Sequence, residues 1–239
     1  MYAIPLGGIE WPEAKWIERD VGSFLQDIRK RGKLRCGIHL SRPGFASPPD
    51  ASSVVDGVEA DYCRAISASA LMGDDDVDFV ELSNVTDGFL KLYNKDVDVV
   101  AGMSWNLQNN VREPTTGVGY TFSPPYFYSN AVESTAQDSL SLVTRQDDHL
   151  WSSFVGWIVE GSIYAEAYNH TQVEFNSMPL VDVFGPNFRR MFRNALLVSG
   201  NYGEIYDRNL EPYIPRSGRN LLNGNPEQGP QHYAPPGFP

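Results

Sequence analysis

The feature that most constrains this chain is the alternation between Phe24 and Val100, where short apolar runs take turns with stripes of helical spacing. Phe24, Leu25 and Ile28 mark a short amphipathic helix that ends at Lys30-Arg31-Gly32, with basic residues in its last turn and glycine after it. Leu34-Arg-Cys-Gly-Ile38 reads as a strand, and a loop rich in Pro, Ser and Asp follows from Ser41 to Gly57. A helix is expected from Val58 to Met72, with Tyr62, Cys63, Ile66, Ala70 and Leu71 on one face. Val77-Asp-Phe-Val-Glu-Leu82 is the next strand, Asn84 to Tyr93 the next helix, and Val97-Asp-Val-Val100 a third strand. Strands separated by helices at this pace imply an α/β fold with a mostly parallel sheet, because parallel neighbours need crossover connections.

The regularity fails from Asn106 to Ser141, where an aromatic stretch (Tyr120 to Tyr128) is cut by Pro124 and Pro125. Leu140 to Thr144 reads as one more strand. Helices are expected from Asp148 to Tyr168, with Trp151, Phe154, Val155 and Ile158 on one stripe, and over Phe188–Ser199 and Tyr202–Leu210. Residues 1–20 lack periodicity and read as an N-terminal arm, 21–211 as one α/β unit, and 212–239 as an extended tail rich in Pro, Gly and Asn.

Composition enters by exclusion. The 19 Lys and Arg against 30 Asp and Glu leave a net charge of −11, which opposes nucleic-acid binding and docking on anionic membranes. The most apolar stretch, Leu150 to Tyr164, is interrupted by Ser152, Ser153, Gly156, Glu160 and Gly161, so no transmembrane segment is expected. Two cysteines, Cys36 and Cys63, and four scattered histidines give no metal-ligand spacing. Phosphate-cradling glycine loops, nucleophile elbows and zincin helices have no match, so no catalytic residue, metal or cofactor is assigned. Asp74-Asp-Asp76 reads as a solvated turn, and His149 beside Asp147 and Asp148 as the acidic start of a helix. Asn84-Val-Thr86 and Asn169-His-Thr171 match the glycosylation sequon, a motif that also arises by chance. Cys36 lies on a strand and Cys63 on the helix that packs over it; the pair can form a disulfide or stay as two buried thiols. No leader pattern opens the sequence, which fits either a cytosolic protein or an exported one whose targeting segment is not part of this chain.

Several segments resemble the periplasmic solute-binding proteins of family 3, in particular the general L-amino-acid-binding type. They are Ile28-Arg-Lys-Arg-Gly-Lys-Leu-Arg-Cys-Gly-Ile38, Arg42-Pro-Gly-Phe45, Gly57-Val-Glu-Ala-Asp61-Tyr-Cys63 and Asp96-Val-Asp-Val-Val100 followed by Met103-Ser-Trp105. Towards the C-terminus they are Val143-Thr-Arg-Gln-Asp-Asp-His-Leu-Trp151, Gly200-Asn-Tyr-Gly-Glu-Ile-Tyr206 and Gln231-His-Tyr-Ala-Pro-Pro236. Members of that family have two lobes that close on a ligand. Here the outgoing crossing near Tyr126 to Val132 is followed almost at once by the return strand, so residues 127–140, with Glu133 to Asp138 at their centre, stand in for a second lobe of roughly one hundred residues.

The resemblance implies a single lobe of a periplasmic-binding-protein-like fold, placed outside the cytoplasm in a periplasm or an organelle lumen such as the thylakoid lumen. It implies a vestigial ligand site of Phe45, Ser104, Trp105 and Arg112, with Arg112 as the carboxylate partner. Losing a lobe would bare Tyr120, Phe122, Tyr126, Phe127 and Tyr128, making them interface residues. The leading expectation is therefore a non-catalytic accessory subunit of a larger protein assembly. The alternative is an amino-acid-binding component that keeps a weak half-site for a free amino acid. The family also has dehydratase-like relatives, but no acid–base pair is placed here, so no enzyme activity is expected.

Overall fold

The computed structural model describes residues 24–48, 54–73, 75–110, 112, 117–129 and 139–221. The expected alternation is found as α1 (Phe24–Arg31), β1 (Leu34–Ile38), α2 (Val58–Ala70), β2 (Val77–Glu81), α3 (Val85–Tyr93) and β3 (Val99–Ser104). Two short strands follow, β4 (Tyr120–Phe122) and β5 (Phe127–Tyr128), then β6 (Ser139–Arg145), α4 (His149–Ala167), α5 (Met191–Ser199) and α6 (Tyr202–Asn209). The strands form one sheet in the order β2-β1-β3-β6-β4, with β5 also on β6.

The sheet is mixed rather than mostly parallel. β1 pairs in parallel with β2 and β3, whereas β6 runs antiparallel to β3, β4 and β5. Among the described residues no helix separates β3 from β6, and the antiparallel pairing needs no crossover helix.

The helix ends show why these segments fold locally. The Asp148 side chain accepts the Trp151 amide and the Phe24 amide, so one carboxylate caps α4 and fastens the start of α1. Asn201 and Glu204 form a reciprocal capping box on α6. The Gly57 position of α2 has no side chain to offer, and the backbone fills the role: Val58 N–H donates to the Gly44 carbonyl at 3.0 Å and Glu59 N–H to the Phe45 carbonyl at 2.9 Å. The loop after β1 is thereby clipped onto the start of α2.

One large core joins α1, α2, α4, α5 and α6 to one side of the sheet, and a smaller one packs Phe89 and Leu92 of α3 with Val100, Met103, Tyr120 and Val143. Asp98, buried before β3, accepts from Arg31 and Arg35, and its carbonyl accepts Trp151 Nε1–H at 2.8 Å. Cys36 and Cys63 are joined in a disulfide across β1 and α2, with Cα atoms 6.2 Å apart.

Residues 212–221 differ from the extended tail expected of them. Arg216 forms a bidentate ion pair with Glu166 of α4 and lies over Tyr202, while the buried Asn220 side chain bonds both the N–H and the carbonyl of Tyr128. A planar amide that pairs with both backbone groups acts as one more strand residue beside β5. The expected arm at 1–20, the connection at 133–138 and the tail from 222 onwards lie outside the described residues.

Candidate functional site

The connection after β1 runs to β2 on one side of the sheet and the chain after β3 runs to β4 and β6 on the other, so the strand order reverses between the carboxyl ends of β1 and β3. Open α/β sheets hold their ligands at such a switch point. Two groups reach it here: the loop after β1, which carries Arg42 and Phe45, and the end of β3. Beside them a solvent-open cleft of about 650 Å³ is lined by Leu40, Ser41, Arg42, Pro43, Ser47, Pro48 and Glu81.

Arg42 spans the switch point. Its Nη1 lies 3.2 Å from Glu59 Oε1 of α2 and 3.3 Å from the Gly102 carbonyl of β3, and its guanidinium stacks 4.6 Å from the Phe45 ring centroid. The side chain is 32% exposed, and among the described residues Nε and Nη2 take no hydrogen-bond partner. Gly102 makes the close approach possible: with φ at +76°, a Cβ there would come within 2.5 Å of Glu59 Oε1 and 2.8 Å of Arg42 Nη1.

Glu59 lies wholly inside the protein, and its Oε2 has no hydrogen-bond partner among the described residues. Burial pushes its carboxyl from 4.5 up to about 7, against the lowering pull of Arg42 and of the Tyr126 hydroxyl. Tyr126 is itself fully buried; its hydroxyl accepts the Gly102 amide at 2.8 Å, its ring lies 5.0 Å from that of Tyr62, and desolvation holds its phenol well above the ordinary value. Half-buried His39, at the end of β1, faces the Leu82 carbonyl, and burial lowers its ring below 6.5.

The raised carboxyl has a consequence for stability. Between pH 4.5 and 7 the native state holds a proton on Glu59 that the unfolded chain releases, so this contribution is fully present below 4.5 and is lost as pH rises through 7. It amounts to about 3 kcal/mol. His39 acts with the opposite sign, so the informative quantity is the difference between proteins. Urea midpoints of wild type and Glu59→Gln, compared from pH 5 to 8, are expected to converge on the stability scale as pH falls and separate as it rises, with the variant gaining. Parallel curves would refute the assignment.

The site residues expected from the sequence are not all brought together. Phe45 is buried at the switch point, edge-on to Phe127 with centroids 4.9 Å apart. Ser104 and Trp105 lie at the carboxyl end of β3, where Ser104 pairs with Leu140 and Trp105 N–H donates to the Ser139 carbonyl at 2.8 Å. Arg112 is elsewhere. It bridges Gly119, next to the Tyr120–Arg145 pair at the far end of β6, and its Nη1 donates to the Gly117 carbonyl. The five residue steps from Leu140 to Arg145 span about 17 Å, so Arg112 does not join Ser104 and Trp105.

The aromatic stretch is also corrected. Tyr120, Tyr126 and Phe127 are buried, and Phe122 and Tyr128 are partly so. Tyr120 donates to the Phe89 carbonyl, and Tyr128 is covered by Asn220 and Arg219. The exposed apolar side chains near the end of β3 are instead Trp105 at 56% and Leu107 at 87%. Sequence reasoning did not single out Arg42, Glu59, Gly102 or Tyr126 as one cluster. The available signal was an acid at Glu59 on a helix whose residues from Val58 to Ala70 are all buried except Arg64.

No protein-family model matches the chain. Among solved structures it is similar to an ABC-transporter periplasmic binding protein from Brucella ovis with glutathione bound, with a TM-score of 0.69 at 19% identity, covering 89% of this chain and 98% of that one. The fold is that of the periplasmic binding proteins. A cysteine-binding protein from Campylobacter jejuni is similar at a TM-score of 0.53 and 12% identity, over 80% of this chain and 94% of the other. In sequence, the general L-amino acid-binding periplasmic protein AapJ of Rhizobium johnstonii is 30% identical over 105 residues, 44% of this chain and 29% of that protein. The glutamate/glutamine/aspartate/asparagine-binding protein BztA of Rhodobacter capsulatus is 22% identical over 317 aligned positions, covering 90% of this chain and 93% of that protein. Both sequence relatives are thus amino-acid-binding proteins, AapJ a periplasmic one, and the segment matched to AapJ spans less than a third of that protein's length.

Proposed function

We propose that this chain binds an amino acid or a related carboxylate at the switch point between β1 and β3, without converting it. The observation that carries the reading is Arg42, a partly exposed residue of the cleft lining whose guanidinium is anchored on Glu59 and the Gly102 carbonyl through Nη1, while Nε and Nη2 take no hydrogen-bond partner among the described residues. A planar guanidinium held in this way is suited to a carboxylate. The names of the relatives support the ligand class, one a general L-amino acid binder and the other a binder of glutamate, glutamine, aspartate and asparagine. We place the protein outside the cytoplasm, in a periplasm or an organelle lumen. The periplasmic relative AapJ and the buried disulfide support this, and no helix among the described residues is long and apolar enough to cross a membrane.

We read the chain as one lobe of a two-lobed ancestor. Tyr128 and Ser139 are direct partners across β5 and β6, so the ten residues between them suffice where the ancestor would have inserted a domain. The alignment with BztA supports the same reading: 90% of 239 residues is about 215, so about one hundred of the 317 aligned positions face no residue of this chain. A half-site open to water forgoes the closure that strengthens charge pairing, and an exposed pair contributes only about 0–1 kcal/mol.

Affinity is accordingly expected near 1 mM in order of magnitude. At about 10 mM L-glutamine or L-glutamate, stabilisation of about 1.4 kcal/mol would raise the melting temperature by about 3–5 °C. The Arg42→Ala protein, melted with and without the same amino acids, is expected to show no rise. An undiminished rise in Arg42→Ala, or none in wild type, contradicts the reading.

A second reading, the accessory subunit of a larger assembly, is favoured by one observation: Trp105 and Leu107 expose apolar surface beside the site. Its test is the size of the native particle. Migration with a large complex supports it, and migration at 26.7 kDa opposes it.

A further inference from the structure

We propose that Glu59 is a proton-carrying positioning residue: a carboxylate that docks on Arg42 is bound together with one proton, which Glu59 holds. This rests on the carboxylate reading above and names what regulates that site.

The geometry makes the two events inseparable. Arg42 is the one cation whose side chain reaches Glu59 among the described contacts, through a single Nη1–Oε1 contact shared with the Gly102 carbonyl. With Glu59 ionised the pair is neutral, and an incoming anion meets a guanidinium whose charge is already offset from behind. With Glu59 protonated the same guanidinium carries a full uncompensated charge toward the cleft. The second carboxyl oxygen, Oε2, lies buried without a hydrogen-bond partner among the described residues, so the proton has an oxygen to sit on.

The groups facing Glu59 do not provide a substitute counter-charge. From the loop after β1 it meets Arg42; from the segment between β4 and β5 it meets the Tyr126 phenol, which burial keeps un-ionised; from β3 it meets the Gly102 backbone. Behind Tyr126 stands Tyr62, whose hydroxyl is engaged with Ser162. The other acid at the start of α2, Asp61, is committed to Arg64, Arg208 and Asn209. Glu59 already titrates near pH 7, and a second anion on Arg42 moves it higher, so binding above pH 7 draws a proton from solution.

The sign follows by linkage. Affinity rises as pH falls towards 7, by up to tenfold per unit, and levels off below 7, where Glu59 is protonated before the ligand arrives. The test is the dissociation constant of L-glutamine for the full chain, measured by nuclear magnetic resonance at pH 6, 7, 8 and 8.5, with the carboxyl carbon resonance of Glu59 followed in the free and saturated protein. The proposal expects a several-fold weakening from pH 7 to 8.5, a Glu59 midpoint that rises on saturation, and a pH-independent constant in Glu59→Gln. The wild-type profile decides the matter even where that variant folds poorly. Saturable binding that is flat with pH, or that strengthens as pH rises, overturns the proposal and leaves the carboxylate reading standing. No saturable binding at any pH overturns both.

Discussion

Replacing Gly57 by alanine is expected to destabilise the protein by more than about 4 kcal/mol, enough to remove most of the folded population of a marginally stable domain. Gly57 has φ 128° and ψ 169°, a region that essentially only glycine occupies. A Cβ at this position would overlap the carbonyl carbon and oxygen of Phe45 and lie 2.9 Å from the Ala46 amide nitrogen. All three atoms are backbone, so no rotamer change relieves the overlap. The loop from Arg42 to Ala46 would have to leave the start of α2, and with it would go the carbonyls that accept the Val58 and Glu59 amides. Urea titration followed by circular dichroism checks this. A Gly57→Ala protein within 1 kcal/mol of wild type, on the order of an ordinary surface change, would contradict the geometry.

The second large effect concerns the disulfide. Cys36 and Cys63 stand 27 residues apart, and closing a loop of that length lowers the entropy of the unfolded chain by an amount worth about 3.5 kcal/mol. Cys36→Ala/Cys63→Ala is therefore expected to melt on the order of 10 °C below wild type. Both sulfur-bearing residues are fully buried, so a reductant should act slowly on the folded protein and quickly in denaturant. Equal melting temperatures for the oxidised protein and the double variant would mean that the bond adds nothing. The staple matters for the site because it ties β1 to α2, the two elements that carry Arg42's loop and Glu59.

What could be read from the sequence follows from the range of the interactions involved. β1, α2, β2 and α3 were legible because each announces itself within about ten residues by periodicity and by the turn that ends it. β4 and β5 were not, since they are three and two residues long, flank Pro124 and Pro125, and owe their existence to β6. The burial of Tyr126, Phe127 and Tyr128 depends on partners as distant as Asn220, 92 residues along the chain from Tyr128. Arg112 follows Trp105 by a few residues, and only the path of the chain along the sheet shows that it has left the site. The pairing of Arg42 with Glu59 spans 17 positions across a loop and emerges only when Gly57 clips that loop to α2. Both residues stand in the segments that carry the family resemblance, yet nothing local marks them as partners.

On the proposed reading the site is half of a binding cleft: one cation at the switch point, an aromatic face under it, and a buried acid beside it. The most direct test of this account is the Arg42 Nε–Hε resonance, assigned by its loss in Arg42→Ala, during a titration with L-glutamine at pH 7. The account predicts a saturable shift of this resonance that tracks the shifts of the Gly102 and Phe45 amides. Saturable binding that moves other resonances and leaves Arg42 Nε–Hε in place would contradict it.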